Sequence, residues 1–153
     1  MFVEGTDAPE AGIAVDRRRW PLVVLRVGAR FDAEDARALW ESAVSLAAER
    51  GPFANLIDCR LLLTQRVGPA ERRALAELYR AHHEALRRTL VCEAWVHGSP
   101  LARGVLRAIH WLYRTPWPSA VYRTLPEAEN RCVRALARHG LRPGGDDASA
   151  RPA

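Results

Sequence analysis

The sequence feature that most constrains the fold is an alternation of short apolar runs with stretches of helical periodicity. The apolar runs lie at 22–27, 54–58, 91–97 and 120–123, and each has the length of a buried strand. Between them, apolar residues recur at spacings of three and four, as on the buried face of an amphipathic helix. Strands that are separated by a helix pair in parallel through right-handed crossovers. The chain is therefore predicted to be an α/β protein.

A further strand is predicted at 13–17, shortly before the run at 22–27. The link between the two is too short for a crossover, so they are expected to be antiparallel neighbours. The resulting order is β-β-α-β-α-β-α-β-α, which describes a mixed, mostly parallel five-stranded sheet packed by four helices. Ligands and partners of such open sheets bind at the edge where the parallel strands end.

Helix ends are marked by capping residues. Asp32 followed by Asp35 has the spacing of a capping box, and Thr124 followed by Glu127 has that spacing before the last helix. Ser99 stands directly before a proline, a pair that suits the start of the third helix. These signals predict where the helices begin.

The 153 residues fit one domain, which is predicted to span 12–140. Residues 1–11 are polar and are predicted to form a flexible N-terminus, while residues 141–153 have almost no apolar content and are predicted to be a disordered tail. No apolar run approaches the roughly 20 residues of a membrane span, and the N-terminus lacks the pattern of a secretory signal. A cytoplasmic location is expected.

The net charge is +5, and every one of the 23 basic residues is Arg. Heavy use of Ala together with Arg indicates the bias of a GC-rich genome, so the charge gives no strong sign of a nucleic-acid partner. Arg pairs bidentately with carboxylates, which makes acidic protein surfaces equally suitable partners. The three cysteines, at 59, 92 and 132, form no CxxC pair and are predicted to be small core side chains.

Motifs of known chemistry are missing from the sequence. The loop after the second predicted strand, at 28–32, holds one glycine where a dinucleotide loop needs three, and no phosphate-binding GKS or GKT occurs. Neither a G-x-S-x-G nucleophile elbow nor an HExxH metal motif is present. No catalytic residue, metal site or cofactor is therefore predicted.

Polar residues at the ends of the parallel strands form the candidate surface. Asp58, which ends the run at 54–58, either bonds to its own loop or acts in recognition. A catalytic role together with His97, the last residue of the run at 91–97, is a weaker alternative. The serine that follows is either a helix cap or a hydroxyl at the mouth of a site. The predicted surface for a partner or ligand comprises Asp58, Arg60, Thr64, Arg66, His97, Ser99 and Arg103.

Aromatic residues cluster late in the chain. They are either a satellite core under a loop or an exposed patch for a partner or a lipid headgroup. The cluster comprises Trp95, Trp111, Tyr113, Trp117 and Tyr122.

Three segments carry a resemblance to a known family. They are WPLVVLRVGARFDAEDARALW, FANLIDCR and VYRTLPEAENRCVRAL. Together with the element order, they resemble the STAS domain, the anti-sigma-factor-antagonist fold, and in particular the small bacterial STAS-like families grouped with the CRAL-TRIO lipid-binding domains. The resemblance covers about 12–140.

The resemblance implies a regulatory, protein-binding role without enzymatic activity. In anti-sigma-factor antagonists a kinase phosphorylates a Ser or Thr in an Asp-Ser-Ser/Ala-Gly motif at the start of the second helix. The matching stretch here, 64–69, contains neither Ser nor an acid, so the usual phosphorylatable motif is missing. The leading hypothesis is a protein-interaction module, with a homodimer left open. The alternatives are a domain that binds a lipid or a small anionic ligand, and an enzyme that uses Asp58 and His97.

Overall fold

The computed structural model describes residues 2–4, 9–62, 69–112 and 114–144. They form strands and helices in alternation, which confirms the α/β prediction. In chain order the elements are β1 (Phe2–Glu4), β2 (Ile13–Arg19), β3 (Leu22–Val27), α1 (Ala33–Arg50), β4 (Phe53–Asp58), α2 (Pro69–Leu86), β5 (Leu90–Val96), α3 (Pro100–Leu112), β6 (Ser119–Tyr122) and α4 (Leu125–Arg138).

The strands stand in the sheet in the same order as in the chain, from β1 to β6. β2 and β3 are antiparallel, as their short link predicts, and β3 to β6 are all parallel. Each crossover advances the chain by one strand, so α1, α2 and α3 come to lie over one face of the sheet. The carboxyl ends of β3, β4, β5 and β6 therefore meet at one edge.

The N-terminal segment differs from the prediction of a flexible 1–11. Phe2–Glu4 forms β1, which pairs in parallel with β2 and makes the sheet of the described residues six-stranded rather than five-stranded. The chain then returns beside the end of β3, where the Gly28 N–H donates to the Gly12 carbonyl at 2.9 Å. A Cβ at Gly28 would lie 2.6 Å from the Pro9 carbonyl oxygen, so this close approach requires glycine. A strand of three residues is too short for its periodicity to be recognised.

The core between the sheet and α1–α3 is centred on aromatic rings. The rings of Trp40 and Tyr79 meet edge to face with centroids 4.4 Å apart, and Trp117 lies 5.9 Å from Trp40. All three side chains are buried. Aromatic pairs of this geometry add to the stabilisation that comes from burial alone.

The opposite face of the sheet is covered by α4. Small buried residues of the helix, among them Ala128 and Cys132, pack against Ala54 and Ala94 of the central strands. The Cys132 thiol lies 3.6 Å from the Asn55 carbonyl oxygen, which brings the helix backbone close to the sheet. The sheet is thus enclosed on both faces, which explains why its central strands β4 and β5 are buried along their whole length.

The ends of α1 and α4 agree with the capping signals. Asp32 accepts a hydrogen bond from the Asp35 N–H at 2.9 Å, and the Asp35 carboxylate accepts from the Asp32 N–H at 3.2 Å. Thr124 and Glu127 form the same reciprocal pair at the start of α4. Both capping boxes are confirmed.

The predicted tail begins in contact with the domain. The Leu141 N–H donates to the Leu136 carbonyl at 3.0 Å, and the Gly144 N–H donates to the Trp20 carbonyl at 3.1 Å. Leu141 also packs against the core under α4. Residues 141–144 are therefore ordered, which the low apolar content of the tail did not indicate.

No helix within the described ranges combines the length and the apolar character needed to cross a membrane.

Candidate functional site

The predicted surface lies where β4 and β5 end. Asp58 stands beside Arg26 of β3 on one side and Val96 of β5 on the other, in register. His97 is the residue after β5, so it comes next to Cys59 at the same edge. The fold therefore brings Asp58 and His97 to adjacent strand ends, as predicted from the parallel arrangement.

Asp58 is engaged by its own loop. Its side chain is 6% exposed and forms a two-pronged ion pair with Arg60, with both nitrogen-to-oxygen distances at 2.9 Å. The Arg60 backbone N–H adds a third hydrogen bond to the carboxylate at 3.2 Å. Both carboxylate oxygens are thus occupied by a residue two positions away, which is the loop-bonding role that the sequence left open.

His97 is held between two backbone groups. Its Nδ1 accepts a hydrogen bond from the Ser99 N–H at 3.1 Å, so Nε2 carries the ring proton and donates to the Leu62 carbonyl at 3.1 Å. The side chain is buried. With both ring nitrogens engaged, His97 fastens the loop after β4 to the end of β5.

Ser99 and Arg103 also have structural partners. The Ser99 hydroxyl accepts from the Ala102 N–H at 3.4 Å, which is the capping role predicted for it. One guanidinium nitrogen of Arg103 donates to the carbonyls of His97 and Gly98 at 3.1 and 2.6 Å. The turn between β5 and α3 is therefore locked by side chains that the sequence assigned to recognition.

Two predicted site residues, Thr64 and Arg66, lie outside the described residues, and so does Tyr113 of the late aromatic cluster. The described residues of that cluster lie in different surroundings. Trp95 and Trp117 are buried in the main core, whereas Trp111 is 73% exposed on α3. The late aromatic residues therefore do not form one site.

Below the polar edge lies a cavity of about 40 Å³ between α1 and α3. Every side chain around it is apolar, and the set draws on three strands, two helices and two loops. The lining residues are Val27, Phe31, Leu39, Ile57, Cys59, Leu62, Trp95, Val105, Leu106 and Ile109. Sequence reasoning missed this cavity, because each lining residue follows the ordinary pattern of a core position.

Two large apolar side chains lie exposed at the same edge. Leu61, in the loop after β4, is 53% exposed, and Leu101, in the first turn of α3, is 77% exposed. Single exposed apolar residues are common, but Leu61 belongs to the loop that supplies Cys59 and Leu62 to the cavity, and Leu101 to the helix that supplies Val105. The carboxyl edge of the sheet thus carries polar groups that are already hydrogen-bonded within the protein, together with exposed apolar side chains.

One wall of the cavity is oriented by a buried acid, Glu93. The Trp95 indole N–H donates to Glu93 Oε1 at 2.6 Å, and the hydroxyls of Tyr79 and Ser119 donate to the same oxygen at 3.1 and 3.0 Å. Burial raises the pKa of Glu93, although these donors oppose the shift. The sequence shows Glu93 as an acid in the middle of an apolar strand. It gives no signal that Tyr79, Trp95 and Ser119 surround its carboxylate as donors.

The Trp95 ring also meets the ring of His110 on α3 edge to face, with ring centroids 5.5 Å apart. Burial lowers the pKa of His110 from 6.5 to about 4, so the ring is neutral at neutral pH. Trp95 is therefore held by the hydrogen bond from its indole N–H to Glu93 and by the contact of its ring with the neutral imidazole of His110.

Comparisons with known proteins identify the fold. No protein-family model matches the chain, and no curated protein matches it. Among solved structures, an uncharacterised protein of the DUF3478 family from Shewanella loihica PV-4, with a SpoIIAA-like fold, is similar at a TM-score of 0.57. The match has 17% sequence identity and covers 84% of this chain and 99% of the other. At this identity the likeness concerns the fold, and this chain has the SpoIIAA-like, STAS-type fold.

Proposed function

We propose that this protein is a non-enzymatic regulatory module of the STAS-like type that binds an apolar ligand at the carboxyl edge of its sheet. The cavity between α1 and α3 carries the proposal, because all ten residues that line it are apolar. Apolar cavities stay dry and accept apolar molecules. The ligand class is a fatty acyl chain or a hydrocarbon group of similar shape.

The polar surroundings favour binding over chemistry. Asp58 is paired with Arg60, and both nitrogens of His97 bond to the backbone. A general acid or base must reach a substrate proton, which groups engaged in this way do not do. The same groups hold the rim of the cavity in a fixed shape, which lowers the entropy cost of binding.

The size of the cavity indicates how a ligand enters. At about 40 Å³ it is much smaller than an apolar cavity of roughly 150 Å³ that takes up benzene in another protein. It accepts the end of a chain, and a longer ligand requires α3 to move outward. α1 packs extensively against α2, whereas α3 makes its main contacts with β6. α3 is therefore the helix whose movement disturbs the least packing.

The experiment compares two variants that add the same side chain on opposite faces. Val105→Phe fills the cavity from a half-buried position on α3. Val133→Phe makes the same change at a half-buried position on α4, on the opposite face of the sheet. Decanoate is added to each, with native mass spectrometry and the shift in Tm as readouts. We expect wild type and Val133→Phe to bind decanoate and Val105→Phe to lose binding. Ligand-free wild type, or equal loss in both variants, contradicts the proposal.

A second candidate function is docking of a partner protein at the same edge. It is favoured by the exposure of Leu61 and Leu101 at the carboxyl edge of the sheet, because a partner that covers this edge removes both apolar side chains from water. Affinity capture with wild type and with the Leu61→Asp, Leu101→Asp double variant tests it. A partner that binds wild type and is lost with the double variant supports docking. A partner retained by both excludes this edge.

A further inference from the structure

A second, strongly basic groove lies between α3 and α4, along the outer edge of β6. Its volume is about 640 Å³, and its sides carry the guanidinium groups of Arg103, Arg107, Arg123 and Arg134. It is separate from the apolar cavity, with which it shares no lining residue. The groove belongs to a surface that the proposed function does not use.

Helix periodicity explains why these residues converge. Arg103 and Arg107 are four positions apart on α3, so they share one face of that helix. Asn130 and Arg134 have the same spacing on α4. The two helices lie on opposite faces of the sheet, and β6 is the edge strand between them, so both basic faces open along the edge of β6.

Among the described residues, the positive charge of the groove exceeds the negative charge that lines it. Glu127 is the one carboxylate that lines it, which leaves three positive charges in excess. That carboxylate caps α4, accepting from the Thr124 N–H at 3.1 Å, and the hydrogen bond to Thr124 lowers its pKa. Within the described ranges, Arg107, Arg123 and Arg134 form no salt bridge.

One arginine is already positioned. Arg103, which lines the groove, is anchored through a single nitrogen to the carbonyls of His97 and Gly98, and its other guanidinium nitrogens are not used by these two bonds. A pre-positioned guanidinium group loses little side-chain entropy when it binds an anion.

We propose that this groove binds the phosphate group of a ligand. Planar guanidinium groups form two parallel hydrogen bonds with phosphate oxygens, and several of them together neutralise a group that carries more than one negative charge. The Asn130 amide adds a neutral donor on the α4 side. A soluble phosphorylated compound and a phospholipid headgroup present the same chemistry, and the experiment separates these two sources.

The alternative is that the arginines only protect the edge strand from pairing with another chain. A triple variant, Arg107→Gln, Arg123→Gln and Arg134→Gln, removes three charges and leaves the anchored Arg103 in place. The control, Arg37→Gln, Arg73→Gln and Arg88→Gln, removes three charges from exposed positions elsewhere. Circular dichroism confirms that both variants are folded.

Two probes are titrated into each protein. The first is inorganic pyrophosphate, followed by calorimetry, and the second is phosphatidylcholine vesicles with and without phosphatidic acid, followed by sedimentation. We expect the groove variant to lose at least tenfold in affinity and the control to lose less than twofold. If the groove variant loses affinity for pyrophosphate, the phosphate group belongs to a soluble compound. If it loses affinity for the acidic vesicles alone, the phosphate group belongs to a lipid headgroup. No binding of either probe by wild type, or equal losses in the two variants, overturns the proposal.

Discussion

Asn55 and Glu93 stand directly opposite each other on the parallel strands β4 and β5, and each carries a buried oxygen that lacks a partner. These atoms, Asn55 Oδ1 and Glu93 Oε2, have no hydrogen bond within the described part of the chain. Side chains of register partners on one face of a sheet lie close together. If Oε2 carries a proton, it becomes the donor that Asn55 lacks, so the protonated acid satisfies both atoms. The raised pKa of Glu93 favours that form.

The first prediction concerns Glu93→Gln. Because the pKa of Glu93 is raised in the fold, the unfolded chain loses this proton first as pH rises, and wild-type stability falls. Gln keeps the acceptor for Trp95 and offers an N–H toward Asn55, without titrating. We expect the stability of Glu93→Gln relative to wild type to increase above about pH 4.5, by up to about 1.4 kcal/mol per pH unit.

Urea denaturation at several pH values measures this difference. Glu41→Gln on the exposed side of α1 is the control and should follow wild type at every pH. A constant difference between Glu93→Gln and wild type over the whole range would show that the fold leaves the pKa of Glu93 unchanged, which contradicts the prediction.

His110 should produce the opposite pH dependence. Its folded pKa of about 4 lies below the ordinary histidine value of 6.5, so the unfolded chain binds the proton first as pH falls. Stability that is present above pH 6.5 is lost toward pH 4, by about 3 kcal/mol in total. His110→Phe keeps a ring against Trp95 and should remove this loss. The measurement is urea denaturation between pH 7.5 and 4, with His83→Phe as control, and an unchanged acid slope in His110→Phe contradicts the prediction.

Removing Arg60 should destabilise the edge of the sheet. In Arg60→Gln the buried Asp58 carboxylate keeps only the backbone N–H as a donor. A buried group that loses a hydrogen-bond partner lowers the free energy of unfolding by about 1–3 kcal/mol. Arg18 forms the same type of fork with Asp16, but Asp16 also has Arg26 at 3.6 Å. Arg18→Gln is therefore expected to cost less. Chemical denaturation of the two variants provides the test, and equal losses would mean that Arg26 does not compensate Asp16 for the loss of Arg18.

The three cysteines should be unreactive in the folded protein. Cys59, Cys92 and Cys132 are free and buried, and burial raises the pKa of Cys59. A thiol reagent such as DTNB attacks the thiolate, so labelling should wait for unfolding. Leu61→Cys places a thiol at a position that is 53% exposed and should react at once. Rapid labelling of the wild-type protein in native buffer would contradict the prediction.

Much of the fold was predictable because its signals are local. The periodicity of three and four gave the helices, and the pairs Asp32–Asp35 and Thr124–Glu127 gave two of their starts. The short link before Leu22 required an antiparallel pair. β1 was not predicted because three residues are too few to show a periodicity. Its position in the sheet depends on its pairing with β2, which comes later in the chain.

The candidate site was predicted in position but not in detail. Asp58 and His97 do reach the same edge, which follows from parallel strands alone. The Asp58–Arg60 fork repeats the Asp16–Arg18 fork, so an Asp-x-Arg spacing at a strand end was a signal that could have been recognised. The bond from His97 to the Leu62 carbonyl spans 35 residues, and no local pattern encodes it.

The sequence by itself determined the order of the elements, the capping of α1 and α4, and the burial of the cysteines, because periodicity, caps and apolar runs act over a few residues. Only the tertiary structure decided which groups are free and which are engaged. The apolar cavity, the surroundings of Glu93 and the basic groove each combine residues from elements far apart in the chain. Their chemistry depends on distances across the sheet, which are set when the helices pack and not before.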